Sequence, residues 1–224
     1  MKLYFHPASP PSHAVMLFAS EAGIPLDYRL IDLSKGEHRA PEYLAINPNG
    51  LVPVLEDGTF RLTESSAILK YLADRVDSPA YPKDLRERAR VNEAMDWFNC
   101  NLYRDLGYGL AYPQLLPHHR RNGDVAQVAT IEWGRTKTRA WLGVLDESSI
   151  GPSKPFLCGE TVTLADYLGA SIVTLLDVIR CDYSCYPNLT RWLSNVKALP
   201  SWAKVSEAFQ GWTAAVSSQH FVAL

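Results

Sequence analysis

The apolar run Leu51-Val52-Pro53-Val54-Leu55 carries a proline at its centre, and that residue limits what the chain can fold into. Proline brings no N–H to a strand ladder, so a strand containing one sits at an edge or bulge, or the residue marks a cis turn. Asn47-Pro48-Asn49-Gly50, dense in turn formers, precedes it. This favours a cis turn at Val52–Pro53, with an edge-strand proline as the plainer alternative.

Around this segment short apolar runs alternate with helical patterns, which predicts an α/β layer rather than a helical bundle. Lys2 to Phe5 reads as a strand, and Pro10-Pro11-Ser12 opens a helix with Val15, Phe18 and Ala22 on one face, closed by Gly23 and Pro25. Asp27 to Ile31 reads as a second strand and Pro41 to Ile46 as a short helical turn. Leu51 to Leu55 is then a third strand, Glu56-Asp57-Gly58-Thr59 a hairpin turn, Phe60 to Leu62 a fourth strand and Glu64 to Arg75 a helix. The order is β-α-β-α-β-β-α. A first domain over 1–76 and a linker over 77–84, with Pro79 and Pro82, follow.

From residue 85 to 224 only helical patterns are expected: Arg86 to Tyr112, with breaks at Gly107 and Gly109 and an end at Pro113, then Val125 to Leu145 and Thr163 to Ile179. Two shorter helices are expected near Asn188–Lys197 and Pro200–Phe209. Thr163 and Asp166 have the spacing of a capping box, a structural role, ahead of a core stripe from Leu164 to Ile179.

With 22 Lys+Arg against 24 Asp+Glu, the formal charge of −2 argues against a basic nucleic-acid binder. The longest apolar run, Ala14 to Ala19, is too short to span a bilayer, and the first residues lack a secretory pattern, so a cytoplasmic chain is expected. Four scattered cysteines, Cys100, Cys158, Cys181 and Cys185, read as reduced thiols rather than a disulfide frame or a metal site.

Three segments resemble the cytosolic glutathione transferases, and most closely their serine-type, theta- and delta-like classes. They are Tyr4 to Ser12, Glu37 to Leu55 and Leu62 to Ile68. The resemblance implies a thioredoxin-like first domain, an all-α second domain and a homodimer. Its co-substrate is glutathione, its partner substrate a small hydrophobic electrophile, and no metal is implied.

Ser9 lies where a strand end meets a helix start, a place that favours an anion and where a hydroxyl can donate to a thiolate. By itself it reads as a helix cap; the resemblance makes it the thiol-activating serine, with Ser12 as rival. In the family the cis bond at Pro53 presents the backbone of Val52 to the cysteinyl part of glutathione. Glu64 and Ser65 suit the ammonium and carboxylate of the γ-glutamyl end, or serve only to start a helix. His38, with Lys35 or Arg39 as alternates, is assigned to the glycyl carboxylate, against the plainer reading of a solvated loop histidine. Ser66 stands where serine-type relatives often carry arginine.

The electrophile pocket is assigned to Tyr103, Tyr108 and Tyr112, although helical spacing puts Tyr108 and Tyr112 on one face and Tyr103 on another. The tail from Gln210 to Leu224 is either a lid over this pocket or frayed. Within enzymes the runner-up is a glutathione-dependent isomerase or dehalogenase, and outside them a non-catalytic binding protein. No cysteine precedes Cys100, which excludes mixed-disulfide chemistry in the first domain.

Overall fold

The computed structural model describes residues 1–224. Four strands, β1 (Lys2–Phe5), β2 (Asp27–Leu30), β3 (Val54–Asp57) and β4 (Phe60–Leu62), form one sheet in the order β2-β1-β3-β4. β1 pairs parallel with β2 and antiparallel with β3, which pairs antiparallel with β4. Helices α1 (Pro10–Glu21), α2 (Pro41–Leu44) and α3 (Ser65–Arg75) complete the layer. Leu3, Leu17, Leu55, Ile68 and Leu72 are fully buried between sheet and helices.

The third strand departs from its expected span. It starts after the proline, where Val54 pairs with Tyr4, and runs to Asp57. Val52–Pro53 is a cis bond, and Pro53 has no N–H to extend the ladder. The turn then shortens to Gly58-Thr59, with Gly58 at φ 61° as tight hairpins require. A 3₁₀ turn over Glu37–Arg39 lies in what the sequence leaves as loop.

α4 (Leu85–Trp97) opens the helical part behind an Asp84 cap that accepts from the N–H groups of Arg86 and Glu87. It continues without interruption through a π-helical segment, Phe98–Ala111, into α5 (Tyr112–Leu115). The expected breaks at Gly107 and Gly109 and the end at Pro113 are therefore absent. In the π segment the turn widens, Tyr112 N–H donating to Gly107 C=O, and the missing N–H of Pro113 falls where the pattern returns to α.

α6 (Asp124–Val144) runs back beside this long helix and extends as a π turn, Leu145–Ile150. The two backbones touch at Gly109 and Gly134, where a Cβ on Gly134 would sit 2.3 Å from the Gly109 carbonyl carbon. Gln127 Nε2 donates to Pro113 O (2.7 Å) on one side of the contact, and Trp141 Nε1 donates to Asp105 Oδ2 (2.7 Å) on the other.

α7 (Leu164–Val173) is buried along its whole length. It stops short of the expected Ile179 because Thr174 Oγ1 donates back to Ser171 O (2.7 Å), and a separate turn, α8 (Leu175–Val178), follows. α9 (Pro187–Lys197) and α10 (Trp202–Ala215) close the domain, the latter running past the expected Phe209. Beyond it the tail folds back rather than fraying: Phe221 is buried, and the Gln114 amide accepts from Val222 N (2.7 Å) and donates to Val222 O (3.1 Å).

One apolar core joins both layers, α1 packing against α3, α7 and α10. At this junction His13 of α1 is buried, 3% exposed, with Nδ1 2.8 Å from Ser171 Oγ and Nε2 2.9 Å from Ser206 Oγ. No helix is long and apolar enough to cross a membrane.

Candidate active site

Ser9 caps α1 in extended backbone geometry, its Oγ accepting from Ser12 N at 3.5 Å. A hydroxyl that accepts in the cap keeps its own proton for another acceptor. The Ser9 carbonyl receives His13 N–H (2.9 Å), so the first helical turn fixes the residue. Ser12, the rival, is fully buried and turned back to the end of β1, where it accepts from His6 N (3.4 Å).

The neighbouring loop is built around Leu51, whose carbonyl accepts from Tyr43 Oη (2.6 Å) and Asn47 Nδ2 (2.8 Å), both side chains being buried. Next in line, the N–H and C=O of Val52 have no hydrogen bond within the chain. They are an unused strand edge beside the cis proline. Gly50, at φ 61°, lets this loop press against the 3₁₀ turn; a Cβ there would lie 2.9 Å from His38 O.

That contact accompanies a buried His38, 8% exposed, which the plainer alternative of a solvated loop histidine does not describe. Burial first, then the charges of Arg39 and His118, hold its pKa below the ordinary imidazole value. Its Nδ1 is buried without a partner. Lys35 is engaged by Asp32 at 3.1 Å.

Glu64 precedes α3 at φ 63°, ψ 113°, an uncommon conformation for a residue with a Cβ and one that clusters at functional sites. Its side chain is exposed, whereas Ser65 is buried. The first intrahelical bond runs from Ile68 N to Glu64 O, which leaves the N–H groups of Ser65, Ser66 and Ala67 without backbone partners. Ser66 Oγ accepts from Asn99 Nδ2 (3.4 Å), tying α3 to the long helix.

The three tyrosines form one cluster. Tyr103 Oη lies 2.8 Å from Tyr112 Oη, and Tyr108 meets Tyr103 and Tyr112 edge-on at 5.5 and 5.2 Å between ring centroids. The π winding brings together residues that a 3.6-residue period separates, and Gly107 leaves the space that the Tyr103 ring fills. Burial raises the pKa of all three, with Glu64 adding to the shift at Tyr108, so their hydroxyls stay neutral donors.

Two histidines that the sequence reading missed complete the cleft. His119 packs 5.4 Å from both Tyr108 and Tyr112, and His118 lies 4.5 Å from His119 and 6.1 Å from His38. Their only sequence signal is the pair itself, following Pro117.

A serine-capped helix start, a free strand edge and an open helix start on an α/β layer stand beside the tyrosines of a helical domain, the layout of a two-domain protein with its cleft between the layers. Residues 1–74 match the family model for the glutathione S-transferase N-terminal domain, and residues 124–200 match that for the C-terminal domain. Human glutathione S-transferase theta-2 is 37% identical over 203 residues, covering 88% of this chain and 81% of the human protein. Drosophila melanogaster glutathione S-transferase D7 is 31% identical over 217 residues, covering 94% and 90%. Among solved structures, human glutathione transferase theta-2 in complex with glutathione superposes with a TM-score of 0.84 at 33% identity, covering 99% of this chain and 92% of that one. A Nilaparvata lugens delta-class glutathione transferase gives 0.80 at 32% identity, covering 97% and 98%. The chain belongs to the glutathione S-transferase family, with the thioredoxin-like and all-helical domains of that fold. Its relatives place it with the theta- and delta-like classes.

Proposed function

We propose that Ser9 donates a hydrogen bond to the glutathione sulfur and so favours the thiolate, which attacks a small hydrophobic electrophile. The S–H proton leaves to solvent, a bond forms from sulfur to the electrophilic carbon, and that carbon releases its leaving group, opens its epoxide or passes its electrons to a conjugated carbonyl. The observation that carries this reading is the Ser9 cap, whose Oγ accepts from Ser12 N and retains a proton to give.

The rest of the tripeptide fits the same cleft. The unpaired N–H and C=O of Val52, next to Pro53, suit the cysteinyl backbone as an added strand. Glu64 and the open N–H groups with the Ser65 hydroxyl suit the γ-glutamyl ammonium and carboxylate. His38, with its orphaned Nδ1, suits the glycyl carboxylate. Human theta-2, solved with glutathione, supports glutathione as the thiol substrate. The domain from residue 85 onward supplies the electrophile pocket through Tyr103, Tyr108 and Tyr112.

A hydrogen bond to a charged acceptor contributes about 1.5–3 kcal/mol, and about 1.4 kcal/mol corresponds to one pKa unit. Ser9→Ala is therefore expected to raise the pKa of the bound thiol by roughly 1–2 units, moving thiolate absorbance and turnover to higher pH while glutathione affinity changes little. Ser12→Ala should leave the pH profile in place, and Ser65→Ala should weaken glutathione binding without shifting it. Loss of turnover in Ser12→Ala with a normal Ser9→Ala would reassign the donor.

We also infer a two-fold dimer in which the first domain of one chain meets the helical domain of the other. Exposed Phe60 on β4 and exposed Val125, Val128 and Trp133 on α6 give each domain apolar surface that such a pairing covers. Sedimentation should find twice the chain mass at micromolar concentration; a lone 25.0 kDa species contradicts the assembly.

A further inference from the structure

We propose that His118, carried by the helical domain, is a binding residue for the glycyl carboxylate of glutathione and closes on it from the side opposite His38. This rests on the reading of the cleft as a glutathione site. His38 alone leaves the carboxylate half served. Its ring lies 6.1 Å from that of His118, the planes tilted by 45°, and no hydrogen bond joins them. The His118 ring is exposed, and the His38 Nδ1 is buried and unpaired. A carboxylate presents two oxygens and about four lone-pair sites, enough for both imidazoles at once.

The charge around the gap fits an anion. Arg39 beside His38 and Arg121 beyond His119 make no ion pair, while Asp32 and Glu37 are engaged elsewhere. Asp32 is held by Ser34 and Lys35, and Glu37 accepts from Asp32 N (2.7 Å). On the helical side Asp124 is paired with Arg120 at 3.2 Å.

The segment bearing His118 is held before any ligand arrives. Buried Gln127 donates to Pro113 O (2.7 Å) and accepts from Arg121 N (2.8 Å), closing both ends of the segment with one side chain. His119 N donates to Leu116 O (2.9 Å), and its ring is packed on Tyr108 and Tyr112. A donor fixed in place costs little ordering entropy when it binds. The glycine end would thus be gripped by both domains, whereas the cysteinyl and γ-glutamyl ends touch the first domain alone.

The test compares glutathione with γ-glutamylcysteine, which lacks the glycine, by titration calorimetry on the full chain. His118→Ala is expected to weaken glutathione binding by about tenfold or more, the size of a hydrogen bond to a charged group, and to leave γ-glutamylcysteine unchanged. His118→Gln, which keeps an N–H donor, should recover part of the loss. His118 is exposed, and an unchanged melting temperature checks that the fold survives. Equal weakening of both peptides, or weakening of neither, overturns the proposal, as does an unchanged glutathione affinity with a raised KM for the electrophile. Failure of the wild-type protein to bind either peptide overturns the glutathione reading itself, and this proposal with it.

Discussion

Asp166→Ala is expected to lower the free energy of unfolding by about 3–5 kcal/mol, the cost of leaving several buried donors without an acceptor. Asp166 is fully buried at the start of α7. One carboxylate oxygen accepts from Leu157 N and Trp192 Nε1, both at 2.8 Å, and the other from Thr163 N and Thr163 Oγ1 at 2.8 and 2.9 Å. Alanine strands those donors where water does not reach, each at about 1–3 kcal/mol. Asp166→Asn keeps one accepting oxygen and should lose less. Urea denaturation at fixed protein concentration measures the difference, and a loss below about 1 kcal/mol would mean that the loop before α7 finds other acceptors.

Mild acid should be nearly as damaging, through His13. Ser171 Oγ donates to Tyr167 O (2.8 Å), so it accepts from His13 Nδ1–H, and Nε2 accepts from Ser206 Oγ. The ring is neutral in one fixed tautomer, with no acidic partner, and burial lowers its pKa from the ordinary 6.5 to about 4. Above pH 6.5 neither state carries the proton. As pH falls below it, the unfolded chain takes up a proton that the folded chain refuses, and stability declines until the folded pKa is reached. Over that window the loss amounts to about 3 kcal/mol. His6, His38 and His119 are lowered too and add to the same slope, so the diagnostic quantity is the part that His13→Gln removes. If the pH dependence of the variant between 6.5 and 4 matches that of the wild type, His13 is not its source.

What the sequence made legible was whatever depends on neighbours along the chain. The caps at Ser9 and Thr163, Gly23 closing α1 at φ 64° and the cis turn at Pro53 all stand where local rules put them. A 3.6-residue period separates Tyr103 from Tyr108 and Tyr112, whereas the segment that carries them winds as a π-helix. The burial of His38 depends on Gly50 letting one loop press against another, and the tail is held by Gln114, 108 residues before its partner Val222. His13 has partners 158 and 193 residues away. No local pattern carries such pairings, which exist only once the domains have packed.

The bare contact of Gly109 with Gly134 has a mechanical consequence. With no side chain between them, the two backbones meet directly at this point, and the contact acts as a fulcrum. The angle is then set by the two polar ties, Asp105–Trp141 and Pro113–Gln127, which lie four residues to either side on one helix and seven on the other. Tyr108 sits beside the fulcrum and Tyr103 and Tyr112 lie out along its arms. Loosening either tie tilts the tyrosines while Ser9, on a separate layer, stays in place. The placement of the tyrosines can therefore be retuned from Gln127 or Trp141, without altering Ser9.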